Sequence, residues 1–322
     1  MLYFDGSASN KFKFKHSPSA VASSPYVHYS TSPCTDLPSL KTDLVIWPEF
    51  YTPLLDSFPS PVQTSIWWLS VDNNNGDYKQ FSRPDVRHFC QSKYALQFLR
   101  SKGAPPATCW MLTEYIHPSR SPTIERVNLS KRSDVVLYNP AKGAHYTDQI
   151  RSRSEPAGLT FVPIQNLTPS GVTDLLLSSK VYIDFGNHPG MDRLPREAAL
   201  AGLVVVTNKE GAAKYDSDVP IPEEFKFGRF DVDKIHEVLK SALADFTTAS
   251  SSFAPYRSWI LKQERVMDFA VARLRRRLAR AGTWEEEENA NELEAALCEN
   301  ERLEEEAEKG RREREEGAVK PG

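Results

Sequence analysis

Residues 184–202 read DFGNHPGMDRLPREAALAG and gather Asn187, His188, Asp192, Arg193, Arg196 and Glu197 where a strand gives way to a helix. In an open α/β sheet the loops at the carboxyl ends of the strands form the ligand crevice. N–H groups at the start of a helix are unpaired donors at the positive end of its dipole, and they suit an anion. The turn NHPGMD supplies such amides, and Gly190, lacking a Cβ, lets a ligand approach the backbone. Arg193 is placed to reach an anion or to hold Asp192 and Glu197 in a local ion pair. Glu197 either accepts from ligand hydroxyls or is a helix carboxylate favoured by the dipole. His188 is a ligand contact or a solvated loop residue.

The flanking chain supplies elements able to position this turn. TDLVIWPEF, with Leu44 to Trp47 as its apolar run, reads as a strand buried on both faces. PVQTSIWWLSVDNNNGD holds the next strand, and its tryptophans read as core rather than as a carbohydrate platform. RHFCQSKYALQFLRSKGA predicts a strand, a helix capped by Ser92 and a stop at Gly103. ATCWMLTEYI is a further strand. From Ser133 the order continues with SDVVLYNP (strand), AKGAHYTDQIRSR (helix), LTFVPI (strand) and TPSGVTDLLLSSK, a helix capped by Thr168. KVYIDFG (strand), DRLPREAALAG (helix closed by Gly202) and LVVVTN (strand) complete the run. Strands spaced by helices imply right-handed βαβ units and a parallel sheet. Two amphipathic helices follow: one with Ile235, Val238, Leu239, Ala242 and Phe246 on one face, and a longer one with Trp259, Val266, Phe269, Ala270 and Leu274.

The five expected segments are a loop-rich or disordered 1–40 with one short strand near Val27, a small lobe at 41–130, a second lobe at 131–254, a long helix at 255–282 and an acidic tail at 283–322. The tail carries 15 Asp/Glu and 6 Lys/Arg, so it concentrates charge in a chain of net charge −3 and leaves the first 282 residues basic by six. Its Leu293, Leu297 and Leu303 keep no heptad, so it reads as a solvated helix or disordered tail rather than a coiled coil. Cys34, Cys90, Cys109 and Cys298 form no C-x-x-C pair, so no zinc site is expected. No stretch approaches the roughly 20 apolar residues of a membrane span. The N-terminus has no apolar middle of a signal peptide, so a cytoplasmic location is expected. RLRRR near residue 275 reads as a solvated helix end, and nucleic-acid binding is not expected.

SDVVLYNPAKG followed by VYIDFGNHPGMDRLPREAALAGLVVVTN resembles the C-terminal, nucleotide-sugar-binding domain of GT-B glycosyltransferases. LPREAALAGLVVVT carries the likeness most closely, and CQSKYALQFLRSKGAPPATCWMLTEYI resembles the last strand–helix–strand of the family's first domain. The resemblance covers about residues 42–270. It implies two Rossmann-like lobes of GT-B type, the first one reduced, with a long final helix running back across both. It also implies sugar transfer from a nucleotide-diphosphate sugar to an acceptor, with no cofactor and no metal. A non-catalytic glycosyltransferase-like module is the alternative.

Carried onto this sequence, the likeness gives Glu197 the ribose hydroxyls and the diphosphate to Lys142, Arg193 and the turn amides. Asn187, His188, Gly190 and Asp192 complete the donor side. Two positions depart from the pattern. Pro189 stands where the first Glu of the E-x7-E motif is expected, and Asn139-Pro140 replaces the usual Gly-Arg. The KEGAAKYDSD loop is either a further donor contact or plain surface. For catalysis, Asp72 at a strand end beside the cleft is the candidate base for the acceptor hydroxyl, with His88 second.

Overall fold

A computed structural model of the chain describes residues 44–50, 52, 55, 62–74, 81–117, 131–153 and 158–279, with β1 (Tyr3–Phe4) paired antiparallel to β2 (Phe14–Lys15). The strand expected near Val27 and the acidic tail lie outside the described residues.

The first lobe is a four-stranded parallel sheet of β3 (Leu44–Pro48), β4 (Gln63–Trp68), β5 (Val86–Cys90) and β6 (Cys109–Met111), in that spatial order. Helix α1 (Lys93–Ser101) joins β5 to β6, and the Ser92 hydroxyl accepts from the amide of Ala95 at 3.1 Å, as a cap should. The core is Ile66, Trp68, Phe81, Val86, Leu96 and Leu99. The expectation for β3 needs correction. It is an edge strand, and Ile46 is 41% exposed, so its apolar run is not covered on both faces.

The second lobe holds β7 (Ser133–Tyr138), β8 (Thr160–Pro163), β9 (Ser179–Asp184), β10 (Val204–Asn208) and β11 (Lys226–Phe227). All pair in parallel, in the order β11-β10-β9-β7-β8. Val181, Val204, Val205 and Val206 have no exposed surface, which is why these runs are apolar without alternation. The helices are α2 (Ala144–Ser152), α3 (Pro169–Ser178), α4 (Arg193–Leu200), α5 (Val232–Ala244) and α6 (Phe246–Ser251). Strand order reverses between β7 and β9, since β8 lies on one side of β7 and β9 on the other. That reversal is where an open α/β sheet leaves its ligand crevice.

The last helix, α7 (Ala254–Ala279), belongs to both lobes. Tyr256 and Ile260 join the core of the second lobe. Ala270 and Leu274 instead pack with Phe89 and Leu112 of the first. Midway, the Thr113 hydroxyl donates to the Gln263 side-chain oxygen at 3.0 Å. Among the described residues no helix is long and apolar enough to cross a membrane.

Candidate functional site

Two loops leave the sheet side by side at the reversal: 139–143 after β7 and 185–192 after β9. They touch at Gly143, whose φ is +56° and whose missing Cβ would overlap the Phe185 carbonyl. Only glycine fits both the left-handed conformation and the contact. From there Lys142 reaches across, and its ammonium pairs with Asp192 at 2.5 Å.

Asp192 is the middle of a polar chain that runs from half-buried Lys142 to buried His188 and Asp184. Its other carboxylate oxygen accepts from His188 Nδ1 at 2.9 Å, while His188 Nε2 lies 3.9 Å from Asp184. Asp184 accepts from the Tyr182 hydroxyl and from the Gly186 amide, each at 3.1 Å. Burial alone would lower the His188 pKa, but the bond to Asp192 and the charge of Asp184 outweigh it and leave it raised. Burial opposes ionisation of Asp192 too, yet His188 and Lys142 hold it below the usual carboxylate range. One ligand atom from each of Asp184, His188 and Asp192 lies within 4.8 Å of the others, close enough to surround a cation. Lys142 already brings a positive charge to that cluster.

The turn itself is docked on the first lobe. The Pro189 carbonyl accepts from the Val71 amide at 3.1 Å, and the Met191 amide donates to the Gln91 side chain at 2.8 Å. A Cβ on Gly190 would overlap the Leu69 carbonyl. Here the structure corrects the reading of Gly190 as room for a ligand: the backbone that fills that room is β4's own continuation. Asn187 is exposed, and its side-chain amide donates to Asp72 across the lobe boundary. Asp72 sits in the single-turn helix Val71–Asn73, held by buried Glu49, which accepts from the Ser70 amide at 3.1 Å and the Asn73 side chain at 2.9 Å.

On α4, Arg193 donates to Glu197 at 2.5 Å, an i,i+4 pair with Arg193 in solvent and Glu197 mostly covered. Asp192 precedes the helix but makes no side-chain cap, its carboxylate being engaged by Lys142 and His188. His88 lies apart from this group. It has no exposed surface, accepts from Trp68 Nε1 at 3.1 Å, and burial pushes it down to about 4. A base for an external hydroxyl needs access, so the structure assigns His88 to the core of the first lobe. The KEGAAKYDSD loop is also engaged, the Ala212 amide donating to the His188 carbonyl at 2.7 Å.

Two residues hold the site together through contacts that the sequence does not show: Arg196 of the polar cluster at 184–202 and Asp218, the last residue of the KEGAAKYDSD loop. Arg196, 1% exposed, donates to the Met191 carbonyl at 2.7 Å and to Glu114 of the first lobe. Asp218 accepts from the Lys93 and Tyr94 amides at 2.8 and 3.0 Å, so a carboxylate of the second lobe caps α1 of the first. Burial raises Asp218 to about 6, against the pull of those amides.

No protein-family model and no curated protein sequence matches the chain. Solved structures do. Sucrose-phosphate synthase from Thermosynechococcus elongatus aligns with TM-score 0.55 and 14% identity, over 74% of each chain. Trehalose 6-phosphate synthase from Burkholderia multivorans aligns with TM-score 0.53 and 11% identity, over 76% of this chain and 74% of its own. HepE of Anabaena in complex with UDP-glucose aligns with TM-score 0.50 and 12% identity, over 72% and 75%. At such identities the likeness is one of fold, and with two parallel sheets and a strand-order reversal at the loop pair it is specific: the chain has the two-lobed architecture of the GT-B glycosyltransferases.

Proposed function

We propose that the chain transfers a sugar from a nucleoside diphosphate sugar bound to the second lobe at the strand-order reversal. The observation that carries this reading is the meeting of Lys142, from the loop after β7, with the start of α4, from the loop after β9. The two place a cation and the uncapped end of a helix dipole at the same spot, an arrangement suited to a diphosphate. Glu197, a turn further along, takes the ribose hydroxyls, with Arg193 fixing its orientation. Asp72, exposed at the lobe boundary, takes the acceptor proton, and protein cations and amides do the electrostatic work without a metal. A neighbour in fold suggests the donor class: HepE carries UDP-glucose in its structure.

A second reading, a nucleotide-sugar-binding module without transfer, is favoured by how many of these groups already hold one another. Asn187 is on Asp72, Arg193 on Glu197 and Lys142 on Asp192. Pro189 also stands where a donor-sugar Glu is expected.

Titration of the full chain with UDP, GDP and their sugars tests binding, since a ligand of the native state raises Tm by mass action. A rise with at least one nucleotide is expected. No shift with any of them at millimolar concentration sinks both readings. Glu197→Ala is expected to weaken the bound nucleotide about 10- to 100-fold, the worth of hydrogen bonds to a charged group. Release of free sugar or of UDP by wild type but not by Asp72→Ala separates the enzyme from the module.

A further inference from the structure

Beneath the turn, at the junction of the two lobes, His188, Asp192, Arg196, Thr207, Asp218 and Tyr256 line a small cavity. Three of these residues carry a polar atom that is fully buried and has no hydrogen-bond partner among the described residues: His188 Nε2, Arg196 Nη1 and Thr207 Oγ1. The residues are 2%, 1% and 0% exposed. Buried polar groups are almost always paired, so three unpaired ones around one cavity mark a bound species rather than chance. The cavity has room for a single water-sized molecule.

Charge decides which one. Asp184, Asp192, Asp218 and Glu114 surround the group, against Lys142, Arg196 and the titratable His188. Carboxylates outnumber cations even with His188 protonated, so a small anion is disfavoured. The Arg196 guanidinium, which only donates, disfavours a metal ion. A water fits all three: it accepts from Arg196, exchanges a hydrogen bond with Thr207, and donates to neutral His188 or accepts from its protonated form. We propose that one ordered water, held by His188 Nε2, Arg196 Nη1 and Thr207 Oγ1, is a structural part of the lobe junction. It ties the turn after β9, helix α4 and the end of β10 together, in the cavity that Asp218 and Tyr256 of α7 also line. The site does not depend on what the outer surface binds.

Two measurements on the full chain test it. A high-resolution crystal structure should show one density peak within hydrogen-bonding distance of all three atoms. A dry cavity overturns the proposal. So does an anomalous peak there after a bromide soak, which would make the occupant an anion. Magnetic relaxation dispersion of water should count one fewer long-lived internal water in Thr207→Val, an isosteric change, with Tm lowered by several degrees. Thr207→Ser should restore both. An unchanged count in Thr207→Val, or a Ser variant that behaves like Val, overturns the proposal even if the Val variant is less stable.

Discussion

At Asp218 burial and hydrogen bonding pull in opposite directions, and burial prevails. Its carboxyl titrates near 6 in the folded chain, against 3.8 for the ordinary side chain. Above pH 6 the charge is present in both states and the folded state bears the desolvation, on the order of 2–3 kcal/mol. Between about pH 6 and 4 the folded chain takes up a proton that the unfolded chain does not, so stability rises as pH falls. Asp218→Asn is therefore expected to be more stable than wild type at pH 7 by about 1–2 kcal/mol. The gap closes as pH drops toward 4, measured as urea midpoints across that range. A variant less stable at every pH would show that the two amide bonds outweigh burial. The raised pKa of His188 acts in the same sense one window higher, giving stability below pH 6.5 that is lost as pH rises through its folded pKa. The sequence displays neither effect. Asp218 meets its amides 125 and 124 positions away, Arg196 meets Glu114 at 82 and Met191 meets Gln91 at 100. No spacing rule spans such separations, and an Asp in a polar loop or an Arg on a helix looks ordinary until the lobes are assembled. Lys142, Asp192, Arg193 and Glu197 could be nominated from the sequence because each lies within a turn or two of a strand–helix junction.

Among the elements, the turn 185–192 is held from several sides. It is fastened to the first lobe through Pro189 and Met191 and meets the Leu69 carbonyl where Gly190 lacks a side chain. Gly190→Ala pushes a methyl group into fixed backbone. A loss of about 1–3 kcal/mol is expected, the usual range for overpacking, read as a lower urea midpoint. A neutral outcome would mean that the junction has slack. Strand and helix periodicity and the caps at Ser92, Thr168 and Gly202 made most elements readable, because these are local signals. The Thr168 hydroxyl does accept from the Gly171 amide, at 3.2 Å. Sheet order is not local. In LVIWP only Pro48, which has no N–H to give a ladder, hints that β3 lies at an edge, and the apolar run masked that hint, so the exposed Ile46 went unforeseen.

For the whole molecule, the lobes share one helix and a set of polar bolts, so they are expected to melt together. Leu274, 8% exposed, is the α7 residue nearest the far end of that packing. Leu274→Ala is expected to cost on the order of 2–4 kcal/mol. Scanning calorimetry should show the single wild-type transition moving down and broadening as the first lobe loosens. Two fully separate peaks in wild type would refute the shared-core account. Helix α7 has a further mechanical consequence. Its 26 residues make a rod about 39 Å long. Rooted at Tyr256 in one lobe, the rod would carry Leu274, 18 residues further on, through about 5 Å for a 10° rotation. Leu274 packs with Phe89 and Leu112, so the first lobe must travel with it or be pried off. Any rotation of the first lobe against the second therefore has to bend α7, and the stiffness of that helix limits how far such a rotation can go.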